Sequence, residues 1–223
     1  MFTHPQLPKG YLLNLKQTAL LVIDMQNGFC SPKGSLGSNG VDVSMMQATI
    51  KPVSELIEAG RTAGILDIWT IQEHYPDDIT RRRHRIVPHT LRYGSGPAAL
   101  IGTWDAEIVD ELKPLFHPPA EVIRKHRFSA FFDTRLDTLL RIKDIKTLIV
   151  CGVSTTLCVE TTIRDAYQRD YDVIIATDAI ATDSDEAHQA SMRIAAKYFG
   201  ACMKTSEIIE LIEESRSAAV AVE

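Results

Sequence analysis

Three side chains that together could break an amide bond stand in this chain, each just after a run that reads as a buried strand. Leu148-Ile149-Val150-Cys151 leads through Gly152-Val153-Ser154-Thr155-Thr156-Leu157 to Cys158, where a helix is expected to begin. A thiol at a helix start meets the positive end of the macrodipole and unpaired backbone N–H groups, which favour thiolate and can receive an oxyanion. Thr18-Ala19-Leu20-Leu21-Val22-Ile23 ends in Asp24, a charge that a buried parallel strand does not carry without a reason. Val122-Ile123 runs into Arg124 and Lys125, then into His126-Arg127-Phe128-Ser129-Ala130-Phe131-Phe132. Ligands of open α/β sheets bind beyond the carboxyl ends of the strands, so the three groups are expected to share one crevice.

Amide hydrolysis needs a nucleophile, a proton carrier for the leaving amine and donors for the tetrahedral oxyanion. In this reading Cys158 attacks, Asp24 takes the thiol proton and returns it to the amine, and Lys125 holds both in register. The lysine matters for its charge: without a cation between them, carboxylate and thiolate would raise each other's pKa and leave the sulfur protonated. Backbone N–H groups of Cys158 and of the 152–156 turn are the expected oxyanion donors. A free cysteine usually does no more than pack, and it is the two other strand-end groups that single out Cys158.

The elements that must position these groups follow from hydrophobic patterning. Apolar runs alternate with helical periodicity along the chain, the pattern of an α/β fold with a mainly parallel sheet of about six strands covered on both faces. Strands are expected at 19–23, 65–71, 121–123, 147–151, 172–177 and 201–203, and helices at 43–62, 105–112, 134–143, 158–169, 185–198 and 205–216. The helix after Cys158 is supported by Val159, Ile163, Ala166 and Tyr167, which fall on one face. Two segments depart from the pattern. Residues 27–40 carry four glycines without a phosphate-binding spacing and read as a lid or wall. Residues 76–102 include Arg81-Arg82-Arg83-His84-Arg85, a run that reads as a solvated face, with a clamp for a carboxylate-bearing substrate as the alternative.

With 223 residues, 45% hydrophobic and 24% charged, the chain suits one domain spanning 1–223. The net charge of −5 and the lack of a recurring basic stripe argue against nucleic-acid binding and for a small-molecule partner. Cys30, Cys151, Cys158 and Cys202 fit neither a zinc motif nor a disulfide framework and read as reduced thiols in a cytoplasm. The first residues, with Pro5 and Pro8, do not read as a signal peptide, and no apolar run is long enough to span a bilayer. A dinucleotide-binding oxidoreductase fits the alternation but not the glycine signature it would need.

Three separated blocks, Leu20 to Asn27, Lys125 to Phe131, and Gly152-Val153-Ser154 through Leu157-Cys158, resemble the isochorismatase-like cysteine hydrolases, over residues 18–208. The resemblance implies a three-layer α/β/α, Rossmann-like sandwich, the triad Asp24, Lys125 and Cys158, and a cis Val153–Ser154 peptide. The cis bond would aim the Ser154 N–H, beside that of Cys158, at the oxyanion. Relatives of this kind are commonly dimers or tetramers, so a homo-oligomer is expected. Nicotinamidases of the superfamily carry an Asp-x-His metal signature after the second strand. Here the segment is Thr70-Ile71-Gln72-Glu73-His74, and an amide in place of the carboxylate weakens the case for a divalent ion. No metal and no cofactor are therefore expected.

The stretch from Phe128 to Asp137, with Cys158 to Asp165, looks most like the ureidoacrylate and biuret branch. That implies hydrolysis of a ureido or N-carbamoyl compound through a thioester or thiocarbamate on Cys158. Gln26, Asn27, Phe29, Gln72, Trp104 and Phe131 are the candidate substrate-binding residues, their aromatic and amide groups suiting a small planar polar molecule. A nicotinamidase or other small-amide amidase shares every catalytic residue and stands as the alternative, as does a non-catalytic binding protein on the same scaffold. Isochorismatase proper, a vinyl-ether hydrolase, lacks the cysteine.

Overall fold

The computed structural model describes residues 4–76 and 98–220. The basic run Arg81 to Arg85 lies outside them. Six parallel strands form one sheet in the order β3-β2-β1-β4-β5-β6. They are β1 (Thr18–Ile23), β2 (Leu66–Gln72), β3 (Glu121–Lys125), β4 (Thr147–Val153), β5 (Asp172–Ala181) and β6 (Ala201–Met203). Every residue of β1 and β4 is buried, as an unbroken apolar run between two helical layers demands.

Alternate residues feed the two layers, because successive side chains on a strand point to opposite faces. Leu20, Val22, Trp69 and Ile149 pack under α4 (Ile50–Thr62) and α8 (Thr205–Val220). Leu21, Ile23, Leu148 and Val150 pack under α5 (Leu136–Ile142), α6 (Glu160–Tyr167) and α7 (Asp185–Tyr198). The expected three-layer α/β/α sandwich is the observed one. No helix among the described residues is long and apolar enough to cross a membrane.

Six expected strands form at the expected places, and the helix over 185–198 has its expected limits: Ser184 caps it by accepting the Ala187 N–H, and Asp185 and Glu186 fill its first turn. Two helices differ. The span 43–62 is divided into α3 (Ser44–Ala48) and α4, where the Thr49 hydroxyl donates to the Met46 carbonyl at 2.7 Å and competes with the helical ladder. The span 105–112 is not an α-helix. Its backbone is committed to the strand-end loop instead: the Asn27 N–H donates to Glu107 O, the Val109 N–H to Met25 O, and Gln26 bridges Ile108. Residues 27–40 hold two short helices, α1 (Asn27–Cys30) and α2 (Ser35–Ser38).

The chain leaves β1 toward β2 and β3 on one side and returns through β4 to β5 and β6 on the other. The sheet therefore has its topological switch between β1 and β4, where the crevice of such sheets opens.

Candidate active site

Asp24 is the first residue past β1. Its backbone is left-handed, φ +50°, a region that aspartate tolerates better than most residues. Its N–H donates to Thr70 Oγ1 at 3.1 Å, and that hydroxyl donates back to Asp24 Oδ1 at 2.5 Å. Thr70 thereby fixes both the backbone and one carboxylate oxygen. Lys125 closes β3, opposite Gln72 in the register, and its side chain crosses the end of β2 to reach the switch point. Its Nζ stands 2.6 Å from Asp24 Oδ2 and 3.2 Å from Cys158 Sγ, with lysine and aspartate wholly buried.

Cys158 sits in a five-residue π-helical turn, Thr155–Val159, that precedes α6, and not at the first residue of an α-helix as the sequence suggests. The Ser154 carbonyl receives the N–H of both Leu157 and Val159 at 3.1 Å. The cysteine carbonyl accepts the Thr162 hydroxyl at 2.6 Å. Before the turn, the Val153–Ser154 peptide is cis, as the resemblance implies. Gly152 has φ +111°, and a Cβ there would collide with the Ile23 carbonyl, so only glycine lets β4 approach the end of β1 this closely. Ser154 Oγ donates to Thr182 Oγ1 at 2.7 Å, Thr156 shares that hydroxyl at 3.3 Å, and Thr155 Oγ1 lies 3.0 Å from His188 Nδ1.

Burial pushes the Cys158 thiol up to about 12; the Lys125 charge pulls it down and the Asp24 charge pushes it up. Burial thus favours the neutral thiol, in contrast to the thiolate that a helix start would favour. Burial alone would lower the Lys125 pKa, but Asp24 and Cys158 outweigh it and hold the amine above its ordinary value. The arrangement is a thiol, an ammonium and a carboxyl group in contact: a nucleophile, a fixed cation and a proton acceptor.

Gln72 joins this group, since its Oε1 accepts from Lys125 Nζ at 2.7 Å. The other expected substrate-binding residues are placed differently. Gln26 is wholly buried, and its amide is spent on Gln72 and Ala106: Nε2 donates to both carbonyls, at 2.9 and 2.8 Å, and Oε1 accepts the Gln72 N–H at 2.8 Å. Asn27 Nδ2 donates to the Trp104 carbonyl at 3.0 Å, which ties the strand-end loop to the exposed Trp104. Phe29 packs against the α4–α8 side of the core. Phe131 is buried in the same apolar cluster as Cys158, stacked on Tyr171 at 5.9 Å with the Arg169 guanidinium 4.9 Å from its ring centre. Thr70 is a neighbour of the site that spacing alone did not single out, and His74, weighed in the sequence only against a metal signature, is buried beside Gln72. For Thr70 a signal existed, a hydroxyl inside the buried run Ile68-Trp69-Thr70-Ile71; for Thr182 there was none.

Comparison with known proteins agrees with this geometry. Ureidoacrylate amidohydrolase RutB of Enterobacter sp. (strain 638) is 33% identical over 99% of this chain and 100% of its own length. A cysteine hydrolase from Pseudomonas syringae pv. phaseolicola 1448A superposes with a TM-score of 0.75 at 31% identity, covering 92% of this chain and 96% of that one. Nicotinamidase PncA from Bacillus subtilis gives a TM-score of 0.70 at 25% identity, over 84% and 99%. Residues 18–207 match the Isochorismatase domain, a span that holds both central strands and all three clustered side chains. With carboxylate, lysine and cysteine delivered by the first, third and fourth strands of such a sheet, the chain belongs to the isochorismatase family.

Proposed function

We propose that this protein is a cysteine amidohydrolase of small ureido or N-carbamoyl compounds, of the class to which ureidoacrylate belongs. The observation that carries the reading is the Lys125 ammonium set 2.6 Å from Asp24 Oδ2 and 3.2 Å from Cys158 Sγ. The Asp24 carboxylate lies within hydrogen-bonding reach of both the ammonium and the thiol. It is an ion-paired base beside a thiol.

In the proposed reaction the Cys158 S–H proton passes to Asp24 Oδ2 as the sulfur bonds to the substrate carbonyl carbon, and the carbonyl π electrons move to oxygen. Backbone N–H groups of Ser154 and Cys158 receive that oxyanion. Collapse restores the carbonyl, breaks the C–N bond, and returns the proton from Asp24 to the departing nitrogen. A thiocarbamate from a ureide, or a thioester from a simple amide, remains on the sulfur. Water then attacks it, giving its proton to Asp24, which hands it back to the leaving sulfur. Through both halves Lys125 offsets the charge that alternates between carboxylate and sulfur.

The ureide preference is supported by the near full-length likeness to the RutB relative. The Bacillus subtilis nicotinamidase favours a second reading, an aromatic amide as substrate. A panel of ureidoacrylate, biuret, N-carbamoyl amino acids, nicotinamide and short aliphatic amides, read by ammonia release, separates them. The ureides are expected to turn over at least about tenfold faster in kcat/KM, a difference of about 1.4 kcal/mol in the transition state; preference for nicotinamide would overturn the assignment. Cys158→Ser should abolish turnover while leaving the thermal melt in place, because oxygen replaces sulfur at little change in shape. Residual activity above about a tenth of wild type would be incompatible with a covalent route.

A further inference from the structure

Lys125 has more neighbours than protons. Its Nζ carries three N–H groups, and three acceptors take them with good geometry: Gln72 Oε1 at 2.7 Å, Arg127 O at 3.1 Å and Cys158 Sγ at 3.2 Å. The fourth neighbour, Asp24 Oδ2, is the nearest of all at 2.6 Å and shares the same ammonium as its ion pair. Two of these neighbours are neutral acceptors that fix where the ammonium sits. One of them is backbone. The other is the Gln72 amide, which could present either end.

Which end it presents is decided by His74. His74 Nδ1 lies against the Ala98 carbonyl, which can only accept, so this nitrogen carries a hydrogen. In the neutral ring Nε2 is then an acceptor, and the Gln72 Nε2–H donates to it at 2.8 Å. With its NH2 so engaged, Gln72 must turn its carbonyl oxygen to the lysine. A flipped amide would set NH2 against ammonium at one end and NH2 away from the imidazole acceptor at the other. His74 itself is held by its backbone, which donates to Ala99 O at 3.0 Å and accepts from the Ile101 N–H at 2.9 Å.

We propose that Gln72 and His74 are positioning residues, a two-member relay that holds the Lys125 ammonium in place between Asp24 Oδ2 and the Cys158 sulfur. The sequence reading places Gln72 at the substrate; the contacts point it at the lysine. The inference deepens the hydrolase reading and rests on Asp24 acting as the base there.

The test uses the rate of Cys158 alkylation by iodoacetamide, read by mass spectrometry of its peptide between pH 7 and 9, which needs no substrate. Gln72→Leu removes one of the two neutral acceptors that hold the cation beside the sulfur, and alkylation is expected to slow by about tenfold. His74→Leu acts through Gln72 and should slow it in the same direction by less. The double variant should be no slower than Gln72→Leu alone, the non-additivity of residues in one chain of contacts. His74→Gln, whose side-chain carbonyl can still accept from Gln72, should recover most of the loss. In turnover of a responsive amide or ureide, Gln72→Leu should lower kcat with KM within about twofold.

Alkylation at wild-type rate in Gln72→Leu, effects that multiply in the double variant, or a raised KM at unchanged kcat would each overturn the proposal. Thermal melts identify folded variants, and should Gln72→Leu fail to fold, the pair His74→Leu and His74→Gln decides the matter: equal rates in both would sink it. If the alkylation pattern holds while no amide is hydrolysed, the relay stands and only the assigned reaction falls.

Discussion

Cys158 and Lys125 titrate in the same sense, and that governs how the protein meets alkali. The thiol is displaced from 9.0 up to about 12 by burial, Lys125 pulling against Asp24, and the thiols of Cys30 and Cys151 are also driven up by burial. In the unfolded chain these groups lose their protons near 9, whereas in the folded protein they keep them. The stability this confers is complete below pH 9 and is lost as the pH climbs from there through the folded values. Lys125, held above 10.5 by Asp24 and Cys158 against the opposing effect of burial, adds a loss of the same sign at higher pH. Urea midpoints are therefore expected to be level from pH 7 to 8.5 and to fall above 9, by up to about 1.4 kcal/mol per pH unit for each thiol concerned. Replacing Cys151 by Ser or Ala should flatten that fall, and a midpoint rising above pH 9 would contradict the burial account. The types and spacing of Asp24, Lys125 and Cys158 were legible because each follows a readable strand. Their protonation was not, since it depends on how deeply the turn is buried and on a carboxylate 134 residues away in the chain.

At the scale of elements, the two turns that follow the central strands do the positioning, and they are where patterning says least. Hydrophobic alternation locates β4 and α6, but the π-helical stretch between them has no periodic signature of its own. The same holds for 105–112, where Ala106, Ile108, Val109 and Leu112 have helical spacing, yet the backbone pairs with residues 25–27. Tertiary pairing overrides local preference there. Where the cap is in the sequence, as with Ser184 before α7, element limits can be read directly. Gly152 makes the turn after β4 testable. Its positive φ and the closeness of the Ile23 carbonyl leave no place for a methyl group, so Gly152→Ala is expected to cost at least about 2 kcal/mol in a denaturant titration. It should also lower activity more than it lowers stability, because the first shift it forces is in the strand end that bears Asp24. A loss below about 0.5 kcal/mol would mean the turn relaxes freely.

Across the whole molecule, the sheet order sets a hierarchy of firmness. β1 and β4 are flanked on both sides, buried along their full length and covered by helices on both faces, so their amides should exchange with solvent only through global opening. β3 is an edge strand among the described residues, with Arg124 exposed and Glu121 and Val122 half-exposed. Hydrogen exchange followed by mass spectrometry is expected to rank peptides from 121–125 as less protected than those from 18–23 and 147–153; equal protection would remove the distinction. This gradient was foreseeable only in part, because six strands and their parallel sense follow from alternation whereas their order does not. It has a consequence for failure under stress. The sulfur and the carboxylate are anchored in the most durable part of the architecture, while the cation arrives from its margin. Mild heating should therefore silence turnover before the main melt, with Asp24 and Cys158 still facing each other across a gap that the amine has left.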